Sequence, residues 1–196
     1  MSSTPFPQAL IFDCDGTLAD TMPLHWRAWH AVAERYRLDF PEDRFYALGG
    51  VPARDIVKML SREQGRELDP LAASKEKEAA YIPFLPQVQE VEVVVNIARE
   101  HYGIIPMAVA SGGLQSHINE VLTHLGIRHL FQAVVTSEEV TRQKPAPDIF
   151  LEAARRLGVA PQFCRAYEDT DLGLQAIRAA GMEAVDVRPL RKLDGA

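Results

Sequence analysis

The feature that most constrains this chain is an apolar strand that runs directly into two carboxylates, read as LIFDCDGTLA over residues 10–19. In an extended chain, residues two apart project to the same face, so Asp13 and Asp15 leave the strand end together. Gly16 and Thr17 then break the strand. Two close carboxylates repel each other unless a cation lies between them or one keeps its proton. The pair therefore predicts a bound metal, an acid/base pair, or both.

A polar turn or a calcium loop is the alternative interpretation of this aspartate pair. Calcium loops rarely follow a buried-looking run such as Ala-Leu-Ile-Phe, and they end on a glutamate at a fixed spacing. No glutamate stands at that spacing after Asp13. The pattern therefore favours the end of a core strand over a calcium loop.

Composition limits the class of protein. A chain of 196 residues fits one medium domain, or one domain that carries an insertion. The net charge of −6 argues against a nucleic-acid or anionic-membrane partner, and no apolar run is long enough for a membrane span. Without a signal pattern either, the expected location is cytoplasmic. Cys14 and Cys164 lie far apart in strand-like contexts, so we expect reduced core residues.

From residue 105 onward, short apolar runs alternate with helical patterns. Glycine follows each of these helices, at Gly126, Gly158 and Gly181, and glycine accepts the left-handed conformation that ends a helix. The alternation predicts parallel β-α units and therefore an α/β fold with a doubly wound, Rossmann-like parallel sheet. The predicted strands cover residues 105–110, 133–136, 163–167 and 183–187, and the predicted helices residues 115–125, 148–157 and 172–180.

The segment between residues 22 and 86 breaks this alternation and is helical throughout. A stripe of apolar residues predicts a first helix from Met22 to Tyr36, a second covers residues 55–64, and Asp69 caps a third that begins at Pro70. A further helix is predicted from the apolar spacing between Val88 and Tyr102. We therefore expect a Rossmann-like core of residues 1–18 and 87–196 with a helical insert, residues 19–86. The ends, residues 1–7 and 191–196, are expected to be loosely held.

Polar residues follow several of the predicted strands. In an open parallel sheet, ligands bind beyond the carboxyl ends of the strands. Two carboxylates, a hydroxyl and a lysine are expected there beside the first aspartate pair: Ser111, Lys144, Glu168 and Asp169. Each of these residues alone is weak evidence for a catalytic site. Together at one edge of the sheet, carboxylates, a hydroxyl and a lysine are the residue types that phosphoryl transfer needs.

Each residue type has a part to play in such a transfer. Asp13 can attack phosphorus and form an aspartyl phosphate, while Asp15 protonates the leaving oxygen and then deprotonates water. Mg²⁺ prefers hard oxygen ligands, which Asp13, the backbone carbonyl of Asp15 and Asp169 can supply. The Ser111 hydroxyl and the amide of Gly112 can hold phosphate oxygens, and Lys144 offsets charge.

Four motifs of the sequence resemble those of the haloacid dehalogenase superfamily, in the same order and over essentially the whole chain. They are residues 13–18, Ser111, Lys144-Pro145 and Glu168-Asp169. The insert resembles the small α-helical cap of that family. The nearest likeness is to the β-phosphoglucomutase-like subgroup, and within it to bacterial phosphatases of fructose 1-phosphate and 6-phosphogluconate.

The resemblance implies a hydrolase with Asp13 as nucleophile, Asp15 as general acid/base, and Ser111 and Lys144 on the phosphate. Asp169, with Glu168 close by, completes the Mg²⁺ site. The substrate implied is a small phosphorylated sugar, and the chain is expected to be a monomer.

In a mutase of this subgroup, an arginine in the cap loop and a Lys-Asn pair after the serine that corresponds to Ser111 bind a second phosphate. This chain has Leu114 and Gln115 at that pair, and its loop arginine, Arg54, is displaced by one position. These two departures from the mutase pattern predict hydrolysis of the substrate instead of transfer of its phosphate within the sugar. β-Phosphoglucomutase activity and a phosphosugar-binding module with weak turnover are the alternatives.

Substrate contacts from the insert are predicted at four positions. By resemblance, His25 helps to close the cap and Lys77 reaches the substrate. Arg54 is the candidate for the mutase arginine, and Gly50 lets the backbone approach a ligand. The alternatives are a bystander histidine on a helix surface and a solvated Lys77 among charged neighbours.

Overall fold

The computed structural model describes residues 6–193 and contains one parallel sheet. Its strands are β1 (Ala9–Phe12), β2 (Met107–Ser111), β3 (Ala133–Thr136), β4 (Cys164–Glu168) and β5 (Glu183–Asp186). They lie in the order β3-β2-β1-β4-β5, and every neighbouring pair is parallel. The predicted doubly wound, Rossmann-like sheet is confirmed.

Strand β1 lies at the centre of the sheet because it is apolar on both sides. Leu10 and Phe12 pack into the apolar cluster on one face, and Ala9 and Ile11 pack into the cluster on the other. A strand covered on both faces requires such a continuous apolar run. The central place of β1 puts Asp13 between the carboxyl ends of β2 and β4.

Helices cover both faces of the sheet and fill the connection from β1 to β2. That connection contains α1 (Met22–Tyr36), α2 (Glu42–Ala47), α3 (Ala53–Glu63), α4 (Pro70–Tyr81), a 3-10 helix (Ile82–Gln87) and α5 (Glu92–His101). The later helices are α6 (Gln115–His124), α7 (Asp148–Leu157), α8 (Asp171–Ala179) and α9 (Arg188–Leu193), with short 3-10 helices at Arg128–Leu130, Ser137–Glu139 and Pro161–Phe163. None of the helices within residues 6–193 has the length and apolar character that a membrane crossing needs.

Helices α1 to α4 have an apolar cluster of their own, built around Trp29, Phe40, Phe45 and Leu60. The predicted stripe of α1 packs into this cluster. The predicted cap of α4 is also present, since the Asp69 carboxylate accepts hydrogen bonds from the backbone N–H groups of residues 71 and 72. Both cysteines are free and buried, as predicted.

Two local predictions for the insert and its return were incomplete. Helix α2 has only six residues, too few for a helical period to be recognised. The helix predicted from Val88 begins later, at Glu92. The reason is tertiary, because the Asp20 N–H donates to the Gln89 carbonyl and the Val91 N–H to the Leu18 carbonyl. These bonds hold residues 89–91 extended beside the chain that leaves β1.

The expectation of a loosely held carboxyl end was wrong for Arg191. This residue lies in α9, where its guanidinium donates to the Gly16 carbonyl oxygen at 2.8 Å and to the Asp20 carboxylate at 2.7 Å. The contact spans 175 positions, so local sequence patterns do not encode it. It ties the end of the chain to the loop after the aspartate pair. Residues 1–5 and 194–196 lie outside the described residues.

Candidate active site

A cavity of about 170 Å³ lies between the carboxyl ends of the central strands and the helical insert. The sheet contributes Asp13, Asp15 and Lys144 to its wall, and the insert contributes Lys77 and an apolar surface. The sheet edge therefore brings together residues that are far apart in sequence.

Lys144 links two strand ends through a pair of short hydrogen bonds. Its Nζ atom donates to Oδ1 of Asp13 and to Oε2 of Glu168, both at 2.7 Å, and all three side chains are buried. Burial alone would lower the pKa of Lys144, but the two carboxylates outweigh it and raise the pKa above its ordinary value. The ammonium group stays charged beside Asp13.

Glu168 is fully engaged by protein donors. Its Oε1 atom accepts from the N–H of Asp169 and from both the N–H and the hydroxyl of Thr170, while Oε2 accepts from Lys144. A carboxylate with this many donors is fixed in one orientation. Glu168 therefore positions Lys144.

Gly173 on α8 leaves the space that Glu168 occupies. A Cβ atom at this position would lie 2.0 Å from Cδ of Glu168. We expect Gly173→Ala to lower the free energy of unfolding by about 1–3 kcal/mol, since overpacking outweighs the better helix propensity of alanine. Denaturant unfolding measures the change. Gln175→Ala, on the exposed side of the same helix, is the control and should change stability little. A Gly173→Ala protein as stable as the original would contradict this packing.

Three carboxylates form a group that could hold a metal ion. Asp13, Glu168 and Asp169 each offer an oxygen, and these atoms lie within 4.8 Å of one another. Burial and the charge of Glu168 raise the pKa of Asp13 well above its ordinary value, and the same two causes raise that of Asp169 to about 7. This repulsion and the hard oxygen donors fit a divalent cation.

The loop after β1 holds Asp169 in place. The Thr17 hydroxyl donates to Oδ1 of Asp169 at 3.1 Å. A Cβ atom on Gly16 would lie 2.2 Å from Oδ2 of Asp169, and the φ of Gly16 is +84°. Both the close approach and the left-handed backbone require glycine here.

The side chain of Asp15 points to a different set of partners from those of Asp13. Its Oδ1 atom accepts from the Thr21 hydroxyl at 2.8 Å and lies 3.3 Å from Nε2 of His25, and its Oδ2 atom lies 3.4 Å from the Ser111 hydroxyl. Burial raises the pKa of Asp15, but the hydrogen bonds from His25 and Thr21 together with the charge of Lys77 hold it at about 2. The carboxylate form is stabilised in this arrangement.

The insert reaches Asp15 through His25 and Lys77. Nζ of Lys77 lies 3.0 Å from Nδ1 of His25. An ammonium group has no acceptor, so Nδ1 accepts and the Nε2–H donates to Asp15. Burial and the charge of Lys77 lower the pKa of His25, in the direction that agrees with this tautomer. His25 therefore contacts both Asp15 and Lys77, and Lys77, which is 5% exposed, is buried and not a solvated charge.

A contact between Glu78 on α4 and His117 on α6 connects the insert with a helix that packs on the sheet. Glu78 accepts from Lys77 at Oε1, at 3.1 Å, and its Oε2 atom lies 3.2 Å from Nδ1 of His117 on α6. Neither Glu78 nor His117 was predicted as a site residue, and Thr17 and Thr21 were also missed. Thr17 had a signal in the sequence because it lies within the motif of residues 13–18, and Glu78 had one as the neighbour of Lys77.

The remaining predicted residues fall in different places. Gly50 and Gly112 line the cavity, and the φ of Gly50 is +83°. Ser111 is buried, with its hydroxyl accepting from the Gly113 N–H. Arg54 is exposed and is not among the residues of the cavity wall, so the structure does not bring it to the site.

Comparison with known proteins agrees with this geometry. The sequence model of haloacid dehalogenase-like hydrolases matches residues 7–181. Fructose-1-phosphate phosphatase YqaB of Escherichia coli is 43% identical over 181 residues, which cover 92% of this chain and 96% of that protein. Beta-phosphoglucomutase of Bacillus subtilis is 32% identical over 92% of this chain and 83% of its own length. The crystal structure of beta-phosphoglucomutase from Clostridium difficile superposes with a TM-score of 0.83 at 25% identity, over 95% of this chain and 88% of that one.

Proposed function

The chain belongs to the haloacid dehalogenase-like hydrolases, and from that premise we propose that it hydrolyses small sugar phosphates through an aspartyl phosphate on Asp13. The observation that carries the proposal is the placement of Asp13. Its carboxylate lies at the cavity, 2.7 Å from the Lys144 ammonium and within 4.8 Å of the other two carboxylates of the acidic group. Similarity to a fructose-1-phosphate phosphatase over nearly the whole chain supports a sugar phosphate as substrate.

In the first half-reaction, a carboxylate oxygen of Asp13 attacks phosphorus, and the bond from phosphorus to the sugar oxygen breaks. The leaving oxygen takes a proton from Asp15. Lys144 offsets the negative charge on the phosphoryl group, and the backbone at Gly112 and Gly113 borders the space in which its oxygens lie.

In the second half-reaction, water attacks the same phosphorus and the bond to Asp13 breaks, which releases phosphate and restores the free carboxylate. Asp15 takes the proton of this water. The surroundings of Asp15 favour its ionised form, which is the form that accepts this proton. His25 and Thr21 orient that carboxylate.

The acidic group is the proposed site of Mg²⁺, with Asp13, the backbone carbonyl of Asp15 and Asp169 as ligands. A bound Mg²⁺ would offset the repulsion between the anionic nucleophile and the anionic phosphate. Glu168, occupied by protein donors, holds Lys144 beside this site.

We assign to residues 19–86 the role of a cap over a core formed by the rest of the chain. Lys77 and His25 connect the cap to Asp15, so closure both excludes bulk water and completes the acid/base site. Hydrolysis is preferred to the mutase alternative because the cavity wall, within residues 6–193, lacks the lysine and the arginine with which the mutases bind a second phosphate. Leu114 lines the cavity where the mutases have lysine, and Arg54 is exposed.

Phosphate release from the purified protein tests the proposal. We expect release from fructose 1-phosphate in the presence of Mg²⁺, and a loss of at least about 100-fold with EDTA that Mg²⁺ restores, since the ion screens several like charges. β-Glucose 1-phosphate should yield phosphate, with glucose 6-phosphate followed separately. Formation of glucose 6-phosphate without free phosphate would establish the mutase instead.

A further inference from the structure

The cation that the cap contributes to the cavity is already neutralised by the protein. Lys77 lies 3.1 Å from Oε1 of Glu78, and its only other hydrogen-bond partner among the described residues is the neutral ring of His25. Glu78 also faces His117, and all four side chains line the cavity. A substrate in the cavity therefore meets a lysine and a glutamate together, not a free cation.

Glu78 is held in place as a full negative charge. Burial raises its pKa, but the hydrogen bond from His117 and the charge of Lys77 outweigh burial and hold the pKa at about 2. His117 belongs to α6, which follows the loop of Gly112 and Gly113. The carboxylate is thus anchored from the core as well as from the cap.

The rest of the wall offers little to a second anion. Among the described residues that line the cavity, arginine is absent and the lysines are Lys77 and Lys144. Lys144 is shared by Asp13 and Glu168. Apolar side chains and glycines make up most of the remaining surface, including Trp29, Phe45, Leu48, Ile56 and Leu114. In the proposed mechanism one phosphate lies beside Lys144 and the acidic group, whereas a second phosphate would meet apolar surface and the neutral pair of Lys77 and Glu78.

We propose that Glu78, anchored by His117, is a specificity-determining residue that favours sugar monophosphates over sugar bisphosphates. It does so by cancelling the charge of Lys77, so that the cap, in the part of the chain that the structure describes, offers no net positive charge in the cavity to a second phosphate. This inference rests on the proposed function and narrows its substrate class.

The experiment compares kcat/KM for fructose 1-phosphate and fructose 1,6-bisphosphate, which share the sugar and differ by one phosphate. We expect the original protein to prefer the monophosphate by at least about tenfold, because a second phosphate desolvated without a net counter-charge costs at least this factor. In Glu78→Gln, which removes the charge at constant size, the preference should fall by about tenfold.

Two further variants separate charge from packing. Glu78→Asp keeps the charge and should keep the preference. Glu76→Gln removes a neighbouring acid of α4 that instead bonds the Tyr36 hydroxyl, and it should leave both constants unchanged. Equal turnover of the two substrates by the original protein, or equal shifts in Glu78→Gln and Glu78→Asp, would overturn the inference. Release of phosphate from neither substrate would contradict the proposed function itself.

Discussion

Asp13→Asn is expected to lower phosphate release from fructose 1-phosphate by at least about 10³-fold, because the amide cannot act as the attacking nucleophile. The substitution keeps the size of the side chain. It also removes one of three mutually repelling carboxylates and leaves Lys144 paired with Glu168. We therefore expect the free energy of unfolding to change by less than about 1 kcal/mol, so that lost turnover cannot be attributed to lost folding.

The matched control is Asp171→Asn, the same chemical change at an exposed carboxylate that bonds Arg188 at the start of α8. Its turnover should match that of the original protein. Steady-state phosphate release and denaturant unfolding are measured on both variants. Turnover in Asp13→Asn within about tenfold of the original would be too high for the loss of a covalent nucleophile.

Lys144→Met is expected to affect both stability and turnover. Methionine keeps most of the length of the side chain but leaves Asp13, Glu168 and Asp169 without their buried counter-charge. Removing one partner of a buried ion pair costs about 3–5 kcal/mol, and we expect a loss of that size in the free energy of unfolding. Turnover should fall by about 10²–10³-fold, as for other groups that stabilise transition-state charge.

Lys58→Met provides the comparison for this variant. Lys58 is exposed and pairs with Asp55 on the surface of α3, so its loss should change stability by less than about 1 kcal/mol. Denaturant unfolding in the presence of excess Mg²⁺ adds a second measurement. Bound Mg²⁺ should recover part of the stability of Lys144→Met by replacing the missing positive charge. A Lys144→Met protein as stable and as active as the original would contradict the bridging role of this lysine.

The sheet and its edge could be predicted because their signals are local. The apolar run of β1, the glycine after three of the later helices and the polar residues after several strands are all recognised within a few positions. Parallel strands then bring Asp13, Ser111 and Asp169 to one edge by topology alone. The predicted bounds of β3 and α7 agree with the structure for this reason.

Several of the missed contacts depend on distant pairs. His117 meets Glu78 across 39 positions, and Arg191 meets Gly16 across 175. Such pairs have no periodic signal, because each residue alone fits a solvated helix surface. Similarly, the sequence placed Arg54 near a cap-loop position, but only the fold of the insert shows that its side chain is exposed.

The most direct test of the central claim is to detect a phosphoryl group on Asp13. The protein is mixed with fructose 1-phosphate and Mg²⁺, quenched in acid during turnover, and analysed by peptide mass spectrometry. We predict the mass of one phosphoryl group on the peptide that contains Asp13, and its absence in Asp13→Asn. Phosphate release at full rate with unmodified Asp13 at every quench time would contradict a covalent mechanism at this residue.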